Sequence, residues 1–322
     1  MWTQKQLEAV QGALFQGLPT SISPDSPVVA GYLSILRWIL AEREKVVGLN
    51  RPWMVGLNAP QGAGKSTMTA ALVRGLSALG YQAVTLSIDD FYLTRAEQVS
   101  LAMRYSDHPL LAQRGYPGTH DVKLGASILR QLREFPHSGM GASKVAASSP
   151  VGRSVLIPRY EKSLHQGQGD RLAPEQGLLL QAPLDVVFLE GWMLAFPVLS
   201  EEKLQQRVME YSGQSSEAFR QFQIINELLK PYDRWVENLD ALVQLVPLDV
   251  HDVLRWRVEA EERMKAQGKP GMSLAEITAY VEKFILAYHV YLPELVSHPP
   301  KNKPVLQVSI SRSRQLSFSP LS

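Results

Sequence analysis

One eight-residue segment, Ala59-Pro60-Gln61-Gly62-Ala63-Gly64-Lys65-Ser66, constrains this chain more than any other. It follows the phosphate-loop pattern, with Ala59 where a first glycine usually stands. Alanine confines the backbone there to ordinary φ values. The small residues at 62–64 let backbone N–H groups turn inward around phosphate oxygens. A helix starting here directs its positive end at the same anion. On this reading Gly62, Ala63, Gly64, Lys65, Ser66 and Thr67 bind ATP. Lys65 reaches the β- and γ-phosphates, Ser66 ligates Mg²⁺ and Thr67 hydrogen-bonds the α-phosphate. The competing account is a glycine-rich turn with an incidental lysine. Context argues against it: an apolar strand, Trp53 to Leu57, enters the motif, and a helix with Met68, Leu72 and Leu76 inward leaves it.

Gly80 caps that helix, and Ala83 to Ile88 predicts a second buried strand. Strand, loop, helix and strand in this order imply a parallel sheet with a right-handed crossover. The expected fold is therefore α/β, a P-loop NTPase fold with a mostly parallel central sheet and helices on both faces. Leu184 to Leu189, Ala241 to Val246 and Val305 to Ile310 predict further strands. Residues 28–47 and 250–267 predict helices, the second highly charged. Ser273 and Glu276 form a capping box for another, with Ile277, Tyr280, Val281, Phe284 and Tyr288 on a core-facing side. Residues 134–154, rich in Gly, Ser and Ala, read as a mobile loop. We expect residues 1–50 to form a helical segment packed on the core, and residues 51–322 the main domain. That domain would carry substrate-binding insertions (about 95–175) and lid and C-terminal helices (about 248–295).

Composition narrows the chemistry. No cysteine is present, which excludes thiolate catalysis, disulfides and cysteine-bound zinc. The 33 Lys+Arg nearly balance 31 Asp+Glu, so no broad field for nucleic acid or a membrane surface is expected. No apolar run of about 18 residues occurs, and Met1 to Gln11 does not read as a signal peptide. A cytoplasmic location is the expectation; the oligomeric state is not readable.

Two carboxylate groups end predicted strands beside the phosphate loop, where open α/β sheets bind ligands. Ser87-Ile88-Asp89-Asp90-Phe91-Tyr92 offers Asp89, which can take the proton of an attacking hydroxyl and help to hold the metal. The bland alternative is that Asp89 caps the next helix. Val187-Phe188-Leu189-Glu190-Gly191 offers Glu190, touching Mg²⁺ directly or through water. The guanine-reading Asn-Lys-x-Asp of GTPases and the full signature of transporter ATPases are missing.

Asp89-Asp90-Phe91-Tyr92 with the later Val186-Val187-Phe188-Leu189-Glu190-Gly191 strand resembles the family of uridine kinase, phosphoribulokinase and pantothenate kinase. In that family the matching aspartate is the catalytic base, which makes Asp89 and Lys65 the implied catalytic pair. Arg114-Gly115-Tyr116-Pro117-Gly118-Thr119-His120-Asp121, Ile157-Pro158-Arg159-Tyr160-Glu161-Lys162-Ser163, Gly169-Asp170-Arg171 and Leu189-Glu190-Gly191-Trp192 are similar, more narrowly, to the D-glycerate 3-kinase family. Glu161 departs from the aspartate expected there. The resemblance implies ATP, Mg²⁺, glycerate phosphorylation and a photorespiratory setting. Another small-molecule kinase of the wider family, for pantothenate or a nucleoside, is the alternative, and a non-catalytic P-loop protein the second.

A small anionic acceptor needs a cationic clamp and a few polar groups. Arg114, His120, Arg159, Tyr160, Lys162 and Arg171 are the candidates. Arg159 and Arg114 are favoured for the carboxylate, because a guanidinium can grip both its oxygens. Lys162 and Arg171 are assigned to the phosphate side. Relatives place a lid arginine near Arg255 and Arg257, although a solvated helix face explains either one.

Overall fold

In the computed structural model, residues 2–19, 22–138, 152–266, 268 and 271–318 are described. The glycine- and serine-rich middle of the loop expected over 134–154 lies outside them.

The strand entering the phosphate loop, β1 (Trp53–Asn58), is buried along its whole length. A strand buried on both faces needs parallel neighbours covered by helices. It has them: β7 (Val186–Gly191) on one side and β8 (Ala241–Pro247) on the other, both parallel. Outside β7 lies β2 (Ala83–Ser87), and outside β8 lie β9 (Val305–Ile310) and antiparallel β10 (Leu316–Phe318). The fold is α/β with a mostly parallel central sheet. The chain leaves β1 toward β2 and leaves β7 toward β8, in opposite directions. The crevice at their C-terminal ends is the topological switch point where such sheets bind ligands. Of β2 only Leu86 is fully buried. It is an edge strand with one neighbour, so the expectation of a second buried strand needs that correction.

Helix α3 (Lys65–Ala78) crosses from β1 to β2, and Gly80 follows it with φ +86°. Two earlier helices, α1 (Gln4–Phe15) and α2 (Pro27–Glu44), meet α3 through Gly75, where a Cβ would lie 3.0 Å from both Leu14 and Leu36. Between β2 and β7 the chain builds α4 (Arg95–Arg104), α5 (Val122–Arg133) and two small ribbons. One pairs β3 (Ser154–Ile157) with β6 (Leu178–Gln181). The other pairs β4 (Tyr160–Glu161) with β5 (Asp170–Arg171) around the turn α6 (Leu164–Gly167). Helices α7 (Glu201–Tyr211), α8 (Ser216–Leu229) and the single turn α9 (Asp233–Val236) lead into β8. The charged helix, α10 (Asp252–Ala266), and the capped helix, α11 (Leu274–Ser297), follow it.

Candidate active site

The phosphate loop is shaped by two left-handed glycines, Gly62 (φ +75°) and Gly64 (φ +95°). Its outer surface is tightly packed. A Cβ on Gly62 would sit 2.7 Å from Cβ of Trp256 on α10, so glycine is required for space as well as for φ. The Gln61 N–H donates to the Tyr288 hydroxyl of α11 (3.0 Å), and Arg314 Nε donates to the Gly62 carbonyl (3.2 Å). Arg314 also pairs with Glu259 of α10 and lies over the Trp256 ring. Sequence reasoning missed Trp256, Tyr288 and Arg314, because nothing local ties them to a loop about 200 residues earlier. Tyr288 was assigned to the core; it is buried, but its hydroxyl serves the loop.

Inside the loop, Lys65 Nζ donates to the Pro60 carbonyl (3.1 Å). Burial pulls its pKa down, and the charges of Glu190 and Asp89 work against that shift. Ser66 Oγ donates to Glu190 Oε1 (3.0 Å), which joins the first turn of α3 to the end of β7. Thr67 is exposed beside Ser66 on that turn. Among the described residues no preformed group of three or more acidic or histidine ligands stands ready for a metal. A hydroxyl, nearby carboxylates and a phosphate cradle nevertheless suit Mg²⁺, which is commonly held by one or two carboxylates plus substrate phosphates.

Asp89 and Asp90 lie on the short 3₁₀ turn after β2 (Ile88–Phe91), which Ser87 caps by accepting from the Asp89 N–H. They face different partners. Asp89 is paired with Lys162 of the β4–β5 ribbon. Burial raises its pKa, but the charge and hydrogen bond of Lys162 outweigh that and hold the carboxyl below its ordinary value. Asp90 accepts from Arg159 Nη1 (3.0 Å), and burial pushes its pKa up despite that partner. Two adjacent carboxylates are thus separated, one kept ionised and one less acidic, a division common where carboxylates have different tasks. The reading of Asp89 as only a helix cap does not describe this geometry.

The remaining candidates divide. Arg114 donates Nη1 to the carbonyl oxygens of Gly167 (2.8 Å) and Gln168 and stacks over Tyr160. Its charge pins the β4–β5 ribbon. Tyr160 packs edge-on against Tyr92 and donates to the Gln168 carbonyl. Arg171 gives Nη2 to the Tyr92 carbonyl (2.8 Å) and lies 3.7 Å from Asp121. His120 is buried and stacked on Tyr92. Lys162 and Arg159 are the cations that meet the Asp89–Asp90 pair directly.

On α10, Arg255 and Glu259 pair along the helix surface, whereas Arg257 pairs with the buried Glu261 (2.8 Å) and lies over Tyr280. Tyr280 is partly buried, packs against the core and Phe284, and feels the charges of Lys162 and Arg257. A cavity of 530 Å³ opens between α3 and β2, with Ser66, Glu190, Asp90 and Arg159 on its wall.

Comparison with known proteins fits this geometry. The chain is 32% identical over 267 residues to the chloroplastic D-glycerate 3-kinase of Arabidopsis thaliana; the match covers 82% of this chain and 53% of that protein. It is 33% identical over 265 residues to the uncharacterized kinase mug58 of Schizosaccharomyces pombe, covering 82% of this chain and 90% of that one. Among solved structures, D-glycerate 3-kinase of Cryptococcus neoformans superposes with a TM-score of 0.77 at 28% identity, covering 88% of this chain and 97% of the other. The chain belongs to the P-loop kinase family that includes D-glycerate 3-kinase. No family model matches it. It spans about half the length of the Arabidopsis protein. The ribbon contacts of Arg114 and Arg171 are not visible in the shared motifs.

Proposed function

We propose that this family member transfers the γ-phosphate of ATP to the 3-hydroxyl of D-glycerate. The observation that carries the reading is the Asp89–Lys162 pair set beside Lys65 at the sheet's switch point. Asp89, kept ionised, accepts the proton of the acceptor hydroxyl. The freed oxygen bonds to the γ-phosphorus as the bond to ADP breaks. Lys65 and the N–H groups of Gly62, Ala63 and Gly64 hold the phosphates, and Thr67 takes the α-phosphate. Ser66, Glu190 and Asp89 would hold Mg²⁺, which neutralises charge between the β- and γ-phosphates when bound. Catalysis then consists mainly of positioning and electrostatics.

Arg159 is our assignment for the glycerate carboxylate. It meets the site directly, whereas Arg114 is engaged with the carbonyls of Gly167 and Gln168. Photorespiratory glycerate salvage in the cytoplasm is the setting we propose. Incubation with ATP, Mg²⁺ and D-glycerate, read by phosphorus NMR, should yield 3-phosphoglycerate. Glycerol keeps the hydroxyls without the carboxylate and should be a poorer acceptor, since it forgoes the charge-assisted hydrogen bonds that a carboxylate would make to Arg159. Efficient turnover of glycerol would overturn the carboxylate clamp. Arg159→Lys keeps the charge but loses the fork, and should raise the glycerate KM far more than the ATP KM.

A further inference from the structure

His120 and Tyr232 form a buried pair whose protons can be placed by counting. The Tyr232 hydroxyl oxygen accepts from the Gly118 N–H (3.0 Å), and its one other hydrogen-bond partner among the described residues is Nδ1 of His120. His120 and Tyr92 form an isolated antiparallel bridge flanked by Leu93 N–H to Thr119 O and Asp121 N–H to Phe91 O. In such a pair the residues' own N–H groups point away from each other's strand. A buried phenol proton needs an acceptor, and of the two partners of Tyr232 only the ring nitrogen can be one. Its own proton must therefore go to His120 Nδ1, 2.8 Å away. Nδ1 is then an acceptor, and the single ring proton sits on Nε2. That Nε2 is buried and has no hydrogen-bond partner. The ring is 4% exposed, stacked on Tyr92 and close enough to Asp89 and Lys162 to feel both charges.

We infer that Tyr232 is a positioning residue that locks His120 as the Nε2–H tautomer, so that a neutral N–H donor faces a hydroxyl oxygen of the acceptor beside Asp89. The inference rests on the proposed kinase reading and deepens it. The neutral state has a purpose. An imidazolium at this place would compete with the acceptor for the Asp89 carboxylate, while a neutral N–H orients the acceptor and leaves the base available. Burial supports it by holding the ring pKa down to about 3. A buried donor without a partner is costly, and an acceptor oxygen removes that cost on binding.

The test uses the full chain labelled with ¹⁵N-histidine at pH 7.5. Two-bond nitrogen–proton correlations should show His120 as the Nε2–H tautomer, and D-glycerate added with ADP should shift that resonance. Tyr232→Phe should lose the tautomer lock and raise the glycerate KM about tenfold, with the ATP KM within about twofold. His120→Gln, which can present an amide N–H, should recover more glycerate affinity than His120→Phe. A wild-type Nδ1–H ring or imidazolium overturns the inference. So does a Tyr232→Phe protein with unchanged tautomer and KM, or a resonance unmoved by glycerate in an enzyme that phosphorylates it. Failure of the glycerate assignment would look different: the Nε2–H tautomer would persist in a protein whose ATP turnover ignores glycerate.

Discussion

At the scale of single residues, the proposed transfer depends on keeping Asp89 ionised while it is partly withdrawn from water. Asp89→Asn removes the proton acceptor proposed above and should lower turnover about 10²–10⁴-fold, with ATP binding weakened less. Circular dichroism should show the fold intact, and near-normal turnover would move suspicion to Asp90. The sequence made Asp89, Lys65, Ser66 and Glu190 legible because their spacing from strand ends is fixed by local chain geometry. It did not reveal what Arg114 and Arg171 do. An arginine in a loop looks the same whether it holds a substrate or a carbonyl, and only the path of the β4–β5 ribbon decides. Tyr232 was invisible for a related reason. It lies 112 residues from His120, and nothing near Lys230-Pro231-Tyr232 signals a contact with the site.

At the scale of elements, the phosphate loop and α10 are one packed unit. Gly62→Ala combines an unfavourable φ with a Cβ 2.7 Å from Trp256. Overpacking of this kind costs about 1–3 kcal/mol. If the strain falls on the loop, ATP affinity should drop roughly tenfold or more, measurable by calorimetry. Asp240 stands at the entrance to β8. Its carboxylate receives both Arg51 Nη atoms (2.7 and 2.8 Å), Arg133 Nη1 (3.1 Å) and the Met54 N–H (2.9 Å). Burial opposes the charge, but these partners outweigh it and the pKa is lowered. The stabilisation is therefore complete above the unfolded value of about 3.9 and fades as pH falls through the lower folded value. Asp240→Asn should cost roughly 1–3 kcal/mol at neutral pH, below a fully buried pair because the arginines are partly exposed. Its acid-side loss of stability should be shallower than wild type in urea titrations across low pH. Element existence was readable for β1 and β7, whose apolar runs are nearly continuous, and for β8 and β9, whose apolar residues are interrupted only by Gln244 and by Gln307 and Ser309. The edge position of β2 was not, because strand order depends on which neighbour a crossover skips. The ribbons β3–β6 and β4–β5 were missed because such short strands carry almost no periodicity.

At the scale of the molecule, α1 and α2 support the phosphate-loop helix from behind. Leu14 is fully buried against Gly75, and Arg74 Nε donates to the Ala13 carbonyl. Leu14→Ala should cost about 2–5 kcal/mol and lower the melting temperature, while turnover at 25 °C stays near wild type. A large fall in turnover at a temperature where the variant is still folded would mean that α1 shapes the site. With no cysteine in the sequence, activity of the purified protein should be equal with and without a dithiol.

The Arg314–Gly62 contact spans 252 residues of chain. A ribosome therefore finishes the phosphate loop early and must then add β2, both ribbons, β7, β8, α10, α11 and β9 before the residue that braces it exists. Until that point a nascent chain carries the loop without its outer clasp. A half-made protein of this kind should hold nucleotide poorly, and a nonsense mutation between α11 and Arg314 should leave a chain with the motif intact and the grip on ATP weakened. Ribosome-bound chains stalled before and after Arg314 has left the exit tunnel, compared for retention of a fluorescent ATP analogue, would time the moment at which the site closes.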